Sequence, residues 1–430
     1  MTDDSPATGQ HGSPPNQHDS LATGQRSIEN TTITYPLWPP LTEGCPETST
    51  EDVQYPLEVT YDYDSVDHTL FEQPLDAGLE RWAPVLPPLT PDTNLGEGNT
   101  PLVEVPGLAD WTGYDGAVYV KDESRNPTWS QKDRLNRLTV SAAIEMDAAG
   151  IVASSTGNHG AAAAAYAARA GLPCVVLTSP ETPPSMQGFL RAYGAAVLAV
   201  EDWDARATAV DRLADEHGFH AVTSRTSVHT GHPFGPEGYK TIAYEVFRQL
   251  DGEAPGTVFV PTAHAELLFG VWKGFRELSE LGVVDESPRM VACEPAARAP
   301  LYAALDAGEP LETVTDAPTD AHSIGATRSS HRGRRALLES DGFAQPVEDE
   351  IISSARDALS NRGLWQEFSG AAGIGGVRAA LEAGRTIDGP VVCLATSSGF
   401  KDGEPWTAPQ VDPEWDAISE ALSEVYELKL

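Results

Sequence analysis

Lys132 sits near the end of the stretch Lys121–Arg134, which reads Lys-Asp-Glu-Ser-Arg-Asn-Pro-Thr-Trp-Ser-Gln-Lys-Asp-Arg. Its neighbours predict that it lies in the first turn of a helix. Pro127 has no backbone N–H and holds Asn126 extended, so the short strand Ala117–Val120 must give way to a turn. Beyond that turn Ser130 has the chemistry of an N-cap, and Leu135, Leu138, Val140 and Ala143 form one apolar side. A lysine placed there meets the positive end of the helix macrodipole, which lowers its pKa and suits it to Schiff-base chemistry. Taken alone, a lysine in a first turn is more often a solvated surface residue. The assignment therefore depends on the other stretches that carry chemistry.

Four do. Ser154-Ser155-Thr156-Gly157-Asn158-His159-Gly160 joins a predicted strand, 151–154, to an alanine-rich helix, 161–170. A turn of that kind presents free N–H groups to an anion. Val260-Pro261-Thr262-Ala263-His264-Ala265-Glu266 follows a second strand and runs into Gly270-Val271-Trp272-Lys273-Gly274-Phe275. Thr396-Ser397-Ser398-Gly399-Phe400-Lys401-Asp402 follows a third, and Glu237-Gly238-Tyr239-Lys240-Thr241 starts a helix.

Asn126–Arg134 resembles the Asn-Pro-Thr-Gly-Ser-Phe-Lys-Asp-Arg signature of threonine synthases, in the tryptophan-synthase-β-like group (fold type II) of pyridoxal-phosphate enzymes. Leu95–Leu102, Leu-Gly-Glu-Gly-Asn-Thr-Pro-Leu, matches the words that open that family's catalytic body. The resemblance runs from about Tyr35 to about Asp402. It implies pyridoxal 5'-phosphate as cofactor, Lys132 as the cofactor lysine and catalytic base, Asn158 at the phenolic oxygen and Thr396 at the pyridine nitrogen. Ser155, Thr156 and the following amides would hold the carboxylate of a small amino-acid substrate. A hydroxyl at the ring nitrogen cannot protonate it as an aspartate could, which favours elimination and replacement over transamination. His159 departs from the family threonine and is similar to the Gly-Asn-His of serine and threonine dehydratases. A structural donor to a nearby carbonyl is the alternative for it.

By the same resemblance Thr262, Ala263, His264, Ala265 and Glu266 form the cradle of the cofactor phosphate, where the family uses glycine at the positions of Ala263 and Glu266. Alanine resists positive φ and close approach, and a carboxylate repels phosphate, so the expected grip is weakened. Thr262, or His264 when protonated, is the expected replacement donor. Gly235 stands where the family has an arginine near the substrate phosphate, with Arg225 the candidate to compensate. Trp129 and Gln131 replace a glycine and a phenylalanine. The expected function is a threonine synthase-like lyase catalysing β-elimination or β/γ-replacement on an amino acid. The alternatives are a serine/threonine dehydratase-like ammonia-lyase and a catalytically lapsed homologue.

Positioning these residues calls for an α/β fold. Strands at 151–154, 174–177 and 196–200 alternate with helices, and a second series follows at 258–260, 290–292 and 391–394. Such alternation predicts two doubly wound parallel-sheet lobes with a ligand crevice at the strand C-termini. Residues 1–34, rich in Ser, Thr, Gly, Pro, Asn and Gln, are expected to be disordered. A short N-terminal β module is expected over 35–95, a large cofactor lobe over 96–125 and 236–410, a small substrate lobe over 126–235, and a tail over 411–430.

The 430 residues carry 64 Asp plus Glu against 28 Lys plus Arg, a formal charge of -36. That charge argues against nucleic acid and anionic membrane as partners. Only Lys121, Lys132, Lys240, Lys273, Lys401 and Lys429 are lysines, so 22 of the 28 basic residues are arginine. An acid-rich, lysine-poor chain suits a halophile's cytoplasm, where the Debye length near 1 M salt is about 3 Å. Cys45, Cys174, Cys293 and Cys393 have no ligand spacing, so no metal site is expected. No stretch has the length and apolarity of a membrane span. A homodimer is what the resemblance implies.

Overall fold

The first strand falls where the sequence predicts disorder. In the computed structural model, which describes residues 20–226, 229–402, 408 and 410–426, β1 (Ala22–Ser27) pairs antiparallel with β2 (Thr34–Tyr35) and β3 (Leu57–Tyr61). The expectation of disorder is corrected for 22–34, and the N-terminal module starts before Tyr35; residues 1–19 lie outside the described residues. The physical reason is Gln25. It is fully buried, and its carboxamide donates to the carbonyls of Pro36 (2.8 Å) and Pro39 (2.9 Å) and accepts from the Leu41 amide (2.9 Å). A polar segment can thus be interior once its side chains replace water as backbone partners, which composition alone does not register.

The chain then lays down β4 (Leu102–Glu104), α1 (Leu108–Thr112), β5 (Val118–Asp122) and α2 (Lys132–Glu145). A small sheet follows, built from β6 (Gly150–Ser154), α3 (Asn158–Ala170), β7 (Cys174–Thr178), α4 (Pro184–Ala192), β8 (Ala196–Ala199), α5 (Trp203–His217) and β9 (Phe219–Ala221). Its order is β8-β7-β6-β9, parallel throughout. Ala161–Ala164 of α3 are fully buried and share a core with Ile151, Ala153 and Val176, so the small side chains seat this helix directly on the sheet.

After α6 (Gly235–Gln249) come β10 (Thr257–Pro261), α7 (Glu266–Glu280), β11 (Arg289–Pro295), α8 (Pro300–Ala307), α9 (His331–Glu339), β12 (Phe343–Val347), α10 (Asp349–Ser360), α11 (Ala372–Glu382) and β13 (Val391–Ala395). The large sheet has the order β12-β11-β10-β13-β5-β4, parallel except for its β4 edge. The last strand, β13, enters between β10 and β5. The C-terminal ends of these central strands therefore open beside one another, which is where an α/β sheet offers a ligand crevice. A further helix, α12 (Trp415–Tyr426), follows in the tail.

A buried ionic frame fixes α2 against α6 and α7. Arg134 is bonded to Glu123 (2.8 Å) and Glu245 (2.6 Å), and Lys121 reaches Glu245 at 2.7 Å. Beside them Lys240 and Lys273 share Glu237 and Glu277, and the Tyr61 hydroxyl donates to Glu237 at 2.8 Å. Such charges are tolerated in the interior only because each is paired several times over. Gly238 lets α6 come this close, because a Cβ there would overlap the backbone carbonyl of Arg134. Glu237 and Lys240 thus serve packing, as the sequence suggests, through charge.

Candidate active site

Lys132 is the first residue of α2, and the turn before it is sewn to the end of β13. The Gln131 amide donates to the Thr396 carbonyl (3.1 Å), and Ser398 N and Ser397 Oγ donate to the Trp129 carbonyl (both 3.1 Å). Asp133 accepts from the amide (2.8 Å) and hydroxyl (2.7 Å) of Thr128, closing the Asn-Pro-Thr turn. The N-cap is Gln131, without a side-chain cap bond, and not Ser130 as expected. Lys132 Nζ has no hydrogen-bond or ion-pair partner among the described residues and lies 5.7 Å from the Tyr239 ring centre. Burial lowers its pKa, and Glu266 and Glu367 only partly oppose that.

The residues expected to hold the cofactor and the substrate carboxylate line the same pocket as Lys132: Ser155, Thr156, Asn158, His159, the run Thr262–Glu266, and Thr396. Gln131 joins them. So do His322, Ser323, Ile324 and Glu367, which belong to none of the chemical stretches.

Asn158 is held from both ends of its carboxamide. Its Nδ2 donates to Glu367 Oε2 (2.9 Å), while Oδ1 accepts from Lys401 Nζ (2.6 Å) and shares the Ser397 hydroxyl proton (3.2 Å) with the Trp129 carbonyl. Burial lowers the Lys401 pKa to about 8, against the pull of Glu367 and Asp133. His159 Nδ1 stands 3.4 Å from Asn136 Nδ2, an amide that also donates to the Lys132 carbonyl at 3.0 Å. Burial, helped by Lys132, pushes His159 down to about 4, so the ring is neutral at pH 7.

The loop after β10 departs from expectation in three ways. The Thr262 hydroxyl already donates to the Val260 carbonyl (2.7 Å), so it is not a spare donor. His264 is not protonated: burial, then His229, pushes it down to about 3, and its ring stacks on His229 at 4.1 Å. The left-handed residue is Ala265, at φ 61° as the N-cap of α7, and neither Ala263 nor Glu266. Burial opposes ionisation of Glu266, yet His229, Lys132 and Arg332 outweigh it and hold the carboxyl below the usual range. Glu266 Oε2 lies 3.2 Å from His229 Nε2.

Three more residues named from the sequence stand apart from the pocket lining. Arg225 is paired to Glu43 (3.0 Å), Asp211 (3.0 Å) and Asp215 (2.8 Å) and does not line the pocket. Gly235, the first residue of α6, packs on Leu135. Trp129 lies outside the pocket lining, at φ 63°, with its ring stacked on Phe189 at 5.6 Å.

The donors present suit pyridoxal phosphate. The Lys132 amine is unclaimed by the protein, Asn158 and Thr396 offer an amide and a hydroxyl to a ring, and α7 opens on the pocket without a side-chain cap on its first amides. Uncapped amides at a helix start are donors for phosphate. At the start of α3 the amides of Thr156, Asn158 and His159 offer the same to a carboxylate, while those of Ser155 and Gly157 already donate to the Leu177 carbonyl (2.9 Å) and Ser155 Oγ (3.3 Å).

Residues 93–397 match the family described as pyridoxal-phosphate dependent enzyme. The threonine synthase of Methanosarcina acetivorans is 32% identical over 85% of this chain and 92% of its own length. That of Methanocaldococcus jannaschii is 33% identical over 80% and 87%. Among solved structures, a fungal L-serine ammonia-lyase from Rhizomucor miehei shares the fold at a TM-score of 0.60 and 22% identity, covering 70% of this chain and 94% of that one. Maize serine racemase shares it too, at a TM-score of 0.60 and 17% identity, over 76% and 94%. The chain therefore belongs to the fold type II pyridoxal-phosphate-dependent enzymes.

Proposed function

We propose that this enzyme catalyses elimination or replacement at the side chain of an amino acid, with Lys132 as its base. The observation that carries the reading is the meeting of Lys132, the Ser155–His159 turn and Thr396 in one pocket. When bound, pyridoxal phosphate supplies the electron sink for the pair left at the substrate α-carbon. Lys132, its pKa lowered by burial, is the nearby amine that takes the α-proton and returns it. Ser155, Thr156 and the amides after them fix the substrate carboxylate. Asn158 is oriented by Lys401 and Glu367 to face the cofactor ring. Thr396 offers the ring nitrogen a hydroxyl and no carboxylate, which supports elimination or replacement over transamination.

The threonine synthase relatives favour a γ-substituted substrate. The Gly157-Asn158-His159 match to serine and threonine dehydratases favours a hydroxy amino acid. The charge of -36 and the scarcity of lysine support a salt-rich cytoplasm as its setting.

The test supplies cofactor at saturation in high salt and follows 2-oxo acid, ammonia and phosphate from serine, threonine and O-phosphohomoserine. Turnover lost in Lys132→Ala supports the reading. No turnover of any amino acid at saturating cofactor would leave the lapsed homologue in its place.

A further inference from the structure

The rings of His220 and His232 are polarised by the hydrogen bonds around them. The Phe234 amide donates to His232 Nδ1 at 3.0 Å, so that nitrogen carries no proton. Burial pushes His220 down to about 4, and burial with His220 beside it pushes His232 well below its usual range, so both rings are neutral at pH 7. A neutral imidazole has a single N–H. His232 therefore holds its proton on Nε2 and donates it to His220 Nε2, 2.9 Å away, which leaves the proton of His220 on Nδ1. Among the described residues that N–H has no acceptor.

His220 is 6% exposed and lines a cleft of about 350 Å³ that shares no lining residue with the Lys132 pocket. The cleft lies between the N-terminal module, which contributes Pro39, Leu41 and Pro46, and the small-sheet side, which contributes Met146 and Phe219. Its module side is built in advance. Gln25 holds the Pro39 carbonyl and the Leu41 amide (both 2.9 Å), and the Thr230 hydroxyl donates to the Thr42 carbonyl at 3.1 Å. Apolar walls around a free donor are the composition of a small-molecule site.

Charge narrows the ligand. Arg225 and Glu43 line the same cleft, 3.0 Å apart, and Arg225 is also paired to Asp211 and Asp215. Three carboxylates against one guanidinium disfavour a simple anion, whereas a zwitterion brings no net charge. A zwitterion's carboxylate is an acceptor for His220 Nδ1–H and Arg225, and its ammonium is a partner for Glu43. We propose that this cleft is a second binding site, for an amino acid with an apolar side chain, and that His220 is its buried donor. The segment that carries His232 also places Gly231 against Glu266 and Gly235 against Leu135 of α2. The cleft is thus joined to elements that shape the cofactor pocket, although the site itself is independent of the reaction catalysed there.

The test is calorimetry of L-leucine on borohydride-reduced holoenzyme in high salt, a form whose fixed cofactor makes no imine with an added amine. Leucine should bind at a single site per chain, roughly tenfold or more tighter than 4-methylpentanoate or 3-methylbutylamine, each of which lacks one of its charges. His220→Phe, which removes the donor, and Glu43→Gln, at an exposed position, should each weaken leucine binding by a similar factor. Absence of leucine binding overturns the proposal, as does leucine binding no tighter than that of both analogues. Leucine affinity unchanged in Glu43→Gln overturns it as well, even if His220→Phe does not fold.

Discussion

The Lys401 ammonium lies 2.6 Å from Oδ1 of Asn158, and it fixes which end of that carboxamide faces the acid Glu367. An asparagine without that partner keeps only the Ser397 hydroxyl, at 3.2 Å, on its oxygen, so that oxygen is held less firmly away from a cofactor ring oxygen, where two acceptors would meet. Charge-assisted hydrogen bonds contribute about 1.5–3 kcal/mol. Lys401→Met should therefore weaken cofactor binding about tenfold or more, read by absorbance titration, with the fold intact by circular dichroism. Unchanged affinity would show that Asn158 needs no second support.

Trp129 occupies a left-handed position, at φ 63°, and its ring lies parallel to Phe189 of α4, with 9° between planes. A non-glycine residue there costs roughly 1–2 kcal/mol, while an aromatic stack returns about 0.5–1.5 kcal/mol. Trp129→Ala keeps the strain and loses the stack. Trp129→Gly loses the stack but relieves the strain, so the glycine variant should be more stable than the alanine variant by about 1 kcal/mol. Thermal unfolding in high salt measures the order, and a less stable glycine variant would show that the turn is unstrained.

Much of the site was legible because each part is a contiguous stretch at the end of a predicted strand or the start of a predicted helix. Lys132, Asn158, Ala263 and Thr396 each sit in such a stretch, and the parallel sheets bring those ends together. Glu367, His322 and Ser323 were not legible, since they lie in irregular segments whose approach depends on how β13 enters the large sheet. Hydrogen-bond direction was hidden as well. A threonine at 262 reads as a donor to a ligand, but the bond it makes to Val260 is local and uses its proton. Gln25 marks the same limit in the fold, because its partners lie up to 16 residues away, at the Leu41 amide.

Buried imidazoles give the protein an acid-labile element. His220 is pushed down to about 4 by burial, and its Nε2 lies 2.9 Å from Nε2 of His232, so the two rings cannot both carry protons there. An unfolded imidazole takes its proton near 6.5, so between pH 6.5 and about 4 the unfolded chain binds more protons than the native one. The stability held by neutral His220 is complete above 6.5 and is lost as pH falls toward 4. Glu294, which burial raises to about 8 despite the amides of Leu301 and Tyr302, acts in the opposite sense. The difference between variants separates the two: urea midpoints of His220→Gln should fall less steeply than those of the parent over this window. Equal slopes would mean that the pair is solvated.

In the proposed chemistry the Lys132 amine is the group that holds the cofactor. The direct measurement is borohydride reduction of the cofactor-saturated protein in high salt, followed by digestion and mass spectrometry. The predicted result is a pyridoxyl group on the peptide containing Lys132 and on no other lysine. A label on Lys401, whose pKa is also lowered, to about 8, or no label at saturation, would contradict it.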